Sequence, residues 1–170
     1  LYEDIEKRGG KAIMWRTGHS LIKAKMKEVR AELAGEMSGH VFFKDRYFGF
    51  DDGIYASCRL LEILAATGKT LPELLEGVPE TYTTPEIRVE CSDEIKFEVV
   101  DRAKRYFKEN GYQVIDVDGA RIVFPDGWGL VRASNTQPVL VVRYEADSPE
   151  RLDEIRDLVE GAIDRAIKMQ

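Results

Sequence analysis

The sequence predicts two joined folds. Residues 1–80 form a truncated mixed α/β layer, and residues 81–170 a small antiparallel sheet with helices on one face, α/β followed by α+β. Three observations carry this. The first half alternates short apolar runs with amphipathic stretches, residues 77–85 are polar and carry two prolines, and the second half places hairpin signals between two long helical patterns.

In chain order, Tyr2 and Ile5 lie among Glu3, Asp4, Glu6 and Lys7 like the middle of a helix, which leads to the expectation that further residues precede Leu1. Gly9 and Gly10 stop that helix, and the apolar residues 11–15 are predicted as a buried strand. Ser20 is the expected cap of a helix over residues 21–29, with Leu21, Ile22, Met26 and Val29 near helical spacing. Residues 41–43 read as a strand. Asp51 or Asp52 then caps a helix over residues 54–66, whose inner face would be Ile54, Leu60, Leu61 and Leu64 and whose stop is Gly68. A short helix over residues 71–76 follows Thr70, with Pro72 in its first turn. Such a half is an α/β layer without its first strand.

The linker is placed at residues 77–85. Beyond it, Ile87, Val89 and Cys91 alternate as a strand, residues 93–109 are helical, and Gly111 ends that helix. Strands over residues 113–117 and 121–124 flank the turn Asp118-Gly119, and a second hairpin joins residues 129–133 to 139–145. Asp147-Ser148-Pro149 opens a closing helix through Lys168.

Composition narrows the function. The chain has 170 residues, 44% of them hydrophobic, enough for a core in one domain or two small ones. A net charge of −6 excludes a broad nucleic-acid surface, although one local arginine cluster could still hold a phosphate. No apolar run nears the roughly 20 residues of a membrane span, and the first residues lack a signal-peptide pattern. A soluble cytoplasmic protein is expected, without membrane partners. Cys58 and Cys91 have no partner at metal-ligand spacing and are expected to be buried free thiols.

Three loops carry chemistry. Gly35-Glu36-Met37-Ser38-Gly39-His40 sets a carboxylate, a hydroxyl and an imidazole on one glycine-bounded loop, the groups that a polyol needs, although the same residues also make ordinary turns. Arg16-Thr17-Gly18-His19-Ser20 precedes a helix N-terminus, where anions are favoured, making His19 a phosphate or sugar contact or a plain surface histidine. Arg132-Ala133-Ser134-Asn135-Thr136 offers a guanidinium fork, two hydroxyls, a left-handed turn at Asn135 and an anion-binding nest of backbone N–H groups; Ser, Asn and Thr are turn formers in any case.

Together, Thr17-Gly18-His19-Ser20, the Gly35 to His40 loop and Trp128-Gly129-Leu130-Val131-Arg132-Ala133-Ser134-Asn135-Thr136 resemble the α-D-phosphohexomutases, nearest their bacterial phosphomannomutase/phosphoglucomutase members. Phe48-Gly49-Phe50-Asp51-Asp52-Gly53 and Thr83-Thr84-Pro85-Glu86 resemble connecting segments of that family. The resemblance implies four domains around one cleft, of which this chain corresponds to most of the third and the fourth. It implies that Glu36 and Ser38 hold hexose hydroxyls, that His19 contacts bound ligand, that Arg132, Ser134, Asn135 and Thr136 grip the substrate phosphate, and that His40 does general acid/base work. It also implies catalysis through a phosphoserine and a bisphosphate intermediate, with Mg²⁺ bound by an Asp-x-Asp-x-Asp loop in a domain that has no counterpart here. No metal or cofactor is expected in this chain, no turnover by it alone, and a hinge near residues 81–84. The expected partners are a mannose or glucose phosphate and the missing N-terminal domains. Alternatives are a phosphoglucosamine mutase, a stand-alone phosphosugar-binding module and, on His19 and His40, a metal-dependent hydrolase.

Overall fold

The computed structural model describes residues 1–169 as two compact units, residues 1–78 and residues from Pro79 onward. The fold is mixed α/β with antiparallel sheets and helices.

The first unit runs α1 (Tyr2–Lys7), α2 (His19–Val29), β1 (Leu33–Gly35), β2 (Val41–Phe43), α3 (Gly53–Thr67) and α4 (Leu71–Leu74). β1 and β2 form an antiparallel hairpin pairing Leu33 with Phe43 and Gly35 with Val41; β1 is a strand that apolar pattern alone did not reveal, being three residues long. Its small core is Ile22, Met26 and Phe42, backed by Ala31 and Ala34.

Several expectations change here. Residues 11–15 form no strand, because no neighbouring ladder satisfies their backbone; Ile13 and Trp15 are exposed, and Lys25 lies over the Trp15 ring at 4.2 Å. The residue at the N-cap of α2 is Gly18, not Ser20. The ends of α3 are as expected: of the two candidate caps Asp52 serves, its side chain accepting from Tyr55 N at 2.9 Å, and Gly68 closes the helix in the left-handed region at φ 65°. The predicted inner face of α3 is not buried: Ile54 and Leu61 are exposed at 82% and 63%, and no residue of this helix reaches the core. Cys58, on the same helix, is therefore exposed, whereas Cys91 is buried; both are free. α4 is shorter than expected, held at its start by the Thr70–Glu73 capping box.

The second unit runs β3 (Tyr82–Thr83), β4 (Ile87–Glu90), α5 (Lys96–Glu109), β5 (Gln113–Ile115), β6 (Ala120–Phe124), β7 (Gly127–Ala133), β8 (Val139–Ala146) and α6 (Pro149–Lys168). The sheet order is β3-β8-β7-β6-β5, with β4 also on β8. β3 and β4 are two stretches of one edge, interrupted where Pro85 lacks a donor; there Thr84 Oγ1 accepts from Tyr144 N at 3.1 Å. The expected hinge near residues 81–84 is thus largely bound into this sheet, since Tyr82 and Thr83 pair with Ala146 and Glu145. Val99 and Phe107 of α5 and Ile155, Val159 and Ile163 of α6 pack on Ile122, Val131, Val142 and Tyr144 of the strands. α5 starts at Lys96, three residues later than expected, because Asp93 precedes it and binds the Lys96 ammonium at 2.6 Å. Among the described residues no helix is long and apolar enough to cross a membrane.

Candidate functional site

In the first unit, the hairpin turn brings Glu36, Ser38 and His40 to the N-terminus of α2. Glu36 N donates to His40 O at 2.9 Å and Gly39 N to Glu36 O at 3.0 Å, so the loop is a closed turn. The Glu36 carboxylate accepts from Gly18 N at 2.9 Å, which puts a fixed negative charge at the positive end of the helix. Ser38 Oγ donates to its other oxygen at 3.3 Å. A helix end already served by a carboxylate suits neutral hydroxyls better than a phosphate.

His19, the first residue of α2, meets His40 edge to face at 4.6 Å between ring centroids and Phe42 at 5.2 Å. One ligand-capable atom from each of His19, Glu36 and His40 falls within 4.8 Å of the others. Sequence reasoning missed the partner that completes this group. Asp51 Oδ2 accepts from His40 Nδ1 at 2.7 Å, and its Oδ1 accepts from Val41 N at 3.2 Å. A bridge between Phe42 and Asp51 brings the two segments together. Because an ionised carboxylate only accepts, Nδ1 carries the proton, and in the neutral ring Nε2 is then the nitrogen with the lone pair.

The hydrogen bond from His40, followed by that from Val41 N, holds the Asp51 carboxyl below the ordinary carboxylate range, against an opposing push from burial. A carboxyl with a depressed folded pKa stabilises the fold fully above its unfolded pKa of about 4, and that contribution disappears as pH falls through the lower folded value. Asp51→Asn should therefore flatten the acid limb of the first unit's stability curve while leaving stability less pH-dependent below about pH 4. Urea denaturation across that range checks it, and an unaltered acid limb would count against the His40–Asp51 pair.

In the second unit, Arg132 leaves β7 with its side chain 20% exposed, 3.9 Å from Asp118 Oδ2. Ser134 is buried, and its Oγ accepts from Thr136 N at 3.3 Å and Gln137 N at 3.2 Å. The expected backbone nest is changed accordingly: those two N–H groups serve Ser134. Asn135 is not left-handed, since Arg30 and Arg46 are the non-glycine residues with positive φ among those described. Asn135 and Thr136 are exposed at the tip. Behind the turn, buried Lys96 donates to Gln137 O at 3.0 Å, tying the start of α5 to the loop.

The phosphoglucomutase/phosphomannomutase domain III model matches residues 1–82, and the C-terminal domain model of the same family matches residues 86–162. The chain belongs to the phosphoglucomutase/phosphomannomutase family. Among its relatives, the phosphomannomutase/phosphoglucomutase of Pseudomonas putida is 51% identical over 154 residues, covering 91% of this chain and 33% of that protein. The phosphoglucomutase of Neisseria gonorrhoeae is 47% identical over 163 residues, covering 94% and 35%. A crystal structure of a phosphoglucomutase/phosphomannomutase family protein from Burkholderia thailandensis superposes with a TM-score of 0.85 at 46% identity, covering 98% of this chain and 35% of that one. The chain thus spans about a third of the length of the family members it matches.

Proposed function

We propose that this chain is the sugar- and phosphate-recognising part of a phosphohexomutase that interconverts hexose 1-phosphates and 6-phosphates through a phosphoserine and a bisphosphate intermediate. Glu36, Ser38 and His19 bind the hexose hydroxyls. Arg132, Ser134, Asn135 and Thr136 hold the phosphate. The observation that carries the reading is the His40–Asp51 pair at 2.7 Å, on a ring that sits in one cluster with Glu36 and His19 and has Nε2 to offer a substrate. There it can take the proton of a hydroxyl that is gaining phosphate and return it on the reverse transfer, with Asp51 fixing the ring and stabilising the imidazolium. His40 is the general acid/base and Asp51 its positioning residue.

The Mg²⁺ implied by this chemistry does not fit the residues present. Among the described residues the one cluster of three metal-capable side chains offers two imidazole nitrogens, whereas Mg²⁺ takes oxygen ligands. The phosphoryl carrier and its metal belong, on this reading, to the rest of the mutase, together with the remaining domains as partners.

The chain alone should accordingly bind mannose or glucose 6-phosphate without converting it. Arg132→Ala should weaken binding by about 1.5–3 kcal/mol, the worth of a hydrogen bond to a charged group. Calorimetric titration of both proteins decides it: equal affinities would remove the anion site, and turnover of glucose 1-phosphate by the wild-type chain would sink the division of labour.

A further inference from the structure

We propose that His19, Glu36 and His40 form a binding site for a divalent ion of the Zn²⁺ class, with Asp51 as the outer partner that orients His40. The three donor atoms already lie within 4.8 Å of one another. Zn²⁺ bonds of about 2.0–2.1 Å in tetrahedral geometry require donors about 3.4 Å apart. The remaining contraction is within reach of side-chain rotation at exposed His19 and the half-buried Glu36 and His40.

The surroundings are those of a metal site rather than a chance cluster. His40 Nδ1 donates to Asp51 at 2.7 Å, which directs Nε2 to the ion in the carboxylate–histidine–metal pattern that fixes tautomer and raises ligand basicity. Glu36 is oriented by Gly18 N and retains lone pairs for coordination. The hairpin bond from Glu36 N to His40 O holds two of the ligands on one rigid turn. Charge also balances: two neutral imidazoles with the Glu36 and Asp51 carboxylates offset a dication. Three protein ligands leave a fourth position for water or a hydroxyl. Two imidazoles select Cu²⁺, Zn²⁺ or Ni²⁺ and discriminate against Mg²⁺.

The ion takes the same atoms that the proposed function assigns to the sugar, so it excludes the hexose. That consequence rests on the sugar-reading assignment, whereas binding of the ion does not.

The test uses the 170-residue chain and ZnCl₂ in a non-chelating buffer. The sequence holds just two histidines, so imidazole NMR signals report on these ligands alone. One equivalent of Zn²⁺ should shift both, MgCl₂ neither. Calorimetry should show affinity falling about 10-fold or more in His19→Ala and His40→Ala, and about 10-fold in Asp51→Asn. Cys58→Ser, which removes the exposed thiol, should leave affinity unchanged. Unmoved histidine signals at saturating Zn²⁺ overturn the site whether or not a variant folds, as does equal affinity for Mg²⁺ or loss of binding in Cys58→Ser. Glucose 6-phosphate should weaken Zn²⁺ binding. If both histidines respond to Zn²⁺ and the sugar phosphate has no effect on it, the metal site stands and the sugar-reading assignment falls.

Discussion

Phe42→Ala should unfold the first unit and leave the second folded. Phe42 is fully buried and, with Ile22 and Met26, makes up the core of that unit among the described residues. Truncating a buried phenylalanine costs about 3–5 kcal/mol in a full-sized core. Small folds hold little stability in reserve, so a loss of that size exceeds what a core of this kind can absorb. The same substitution removes the ring on which His19 rests at 5.2 Å and loosens the strand segment that meets Asp51. Amide NMR through a urea titration separates the two units. Signals of residues 1–78 should collapse toward unfolded positions without denaturant, while those of β6 to β8 keep their midpoint. Retention of the first unit's dispersed signals would show that its stability comes from elsewhere, for instance from the Asp52 cap of α3 and its ion pairs Glu62–Arg46 at 2.7 Å and Arg59–Asp45 at 2.9 Å.

That imbalance also explains where sequence reasoning succeeded. The second unit was legible because its information is local: β6 alternates buried and half-buried positions, the Asp118-Gly119 turn sits between its strands, and Ser148 with Pro149 marks the start of α6. In the first unit the ends of α3 were marked by the Asp51-Asp52 pair and by Gly68. Its burial was not, because an apolar stripe says which face could be covered and not whether anything covers it. Residues 11–15 failed for a related reason, since a strand exists only with a neighbour that its own pattern cannot specify.

The site divides the same way. Glu36, Ser38, His40 and the residues from Arg132 to Thr136 stand out as candidates in the sequence because they sit in contiguous loops. Asp51 was assigned to capping because Asp51-Asp52 precedes a helix and either could serve. Asp52 suffices as the cap, and that left its neighbour free for another role, a signal present in the sequence but decided by the non-local pairing of Phe42 with Asp51. The helical pattern of residues 93–109 does not single out Lys96; only the fold shows it buried under the phosphate-loop candidate.

Gly119→Ala should destabilise the second unit by about 2–5 kcal/mol, combining a left-handed penalty of about 1–2 with a clash of about 1–3. Gly119 has φ 83°, and a Cβ there would stand 2.3 Å from Val131 O and 2.9 Å from Arg132 Cα. Those atoms are backbone, so the turn and β7 must part rather than adjust a side chain. Gly111→Ala provides the comparison: φ is 81° and a Cβ meets nothing within 4 Å, so this variant should lose about 1–2 kcal/mol from conformation alone. The difference between the two urea midpoints measures how closely the turn holds β7. Because the displaced backbone runs from Val131 into Arg132, Gly119→Ala should also weaken glucose 6-phosphate binding under conditions where the unit remains folded, and Gly111→Ala should not. Equal losses of stability in the two variants would mean that β7 yields freely at this point, and the position of Arg132 would then have to be set by its own strand pairing with Val141.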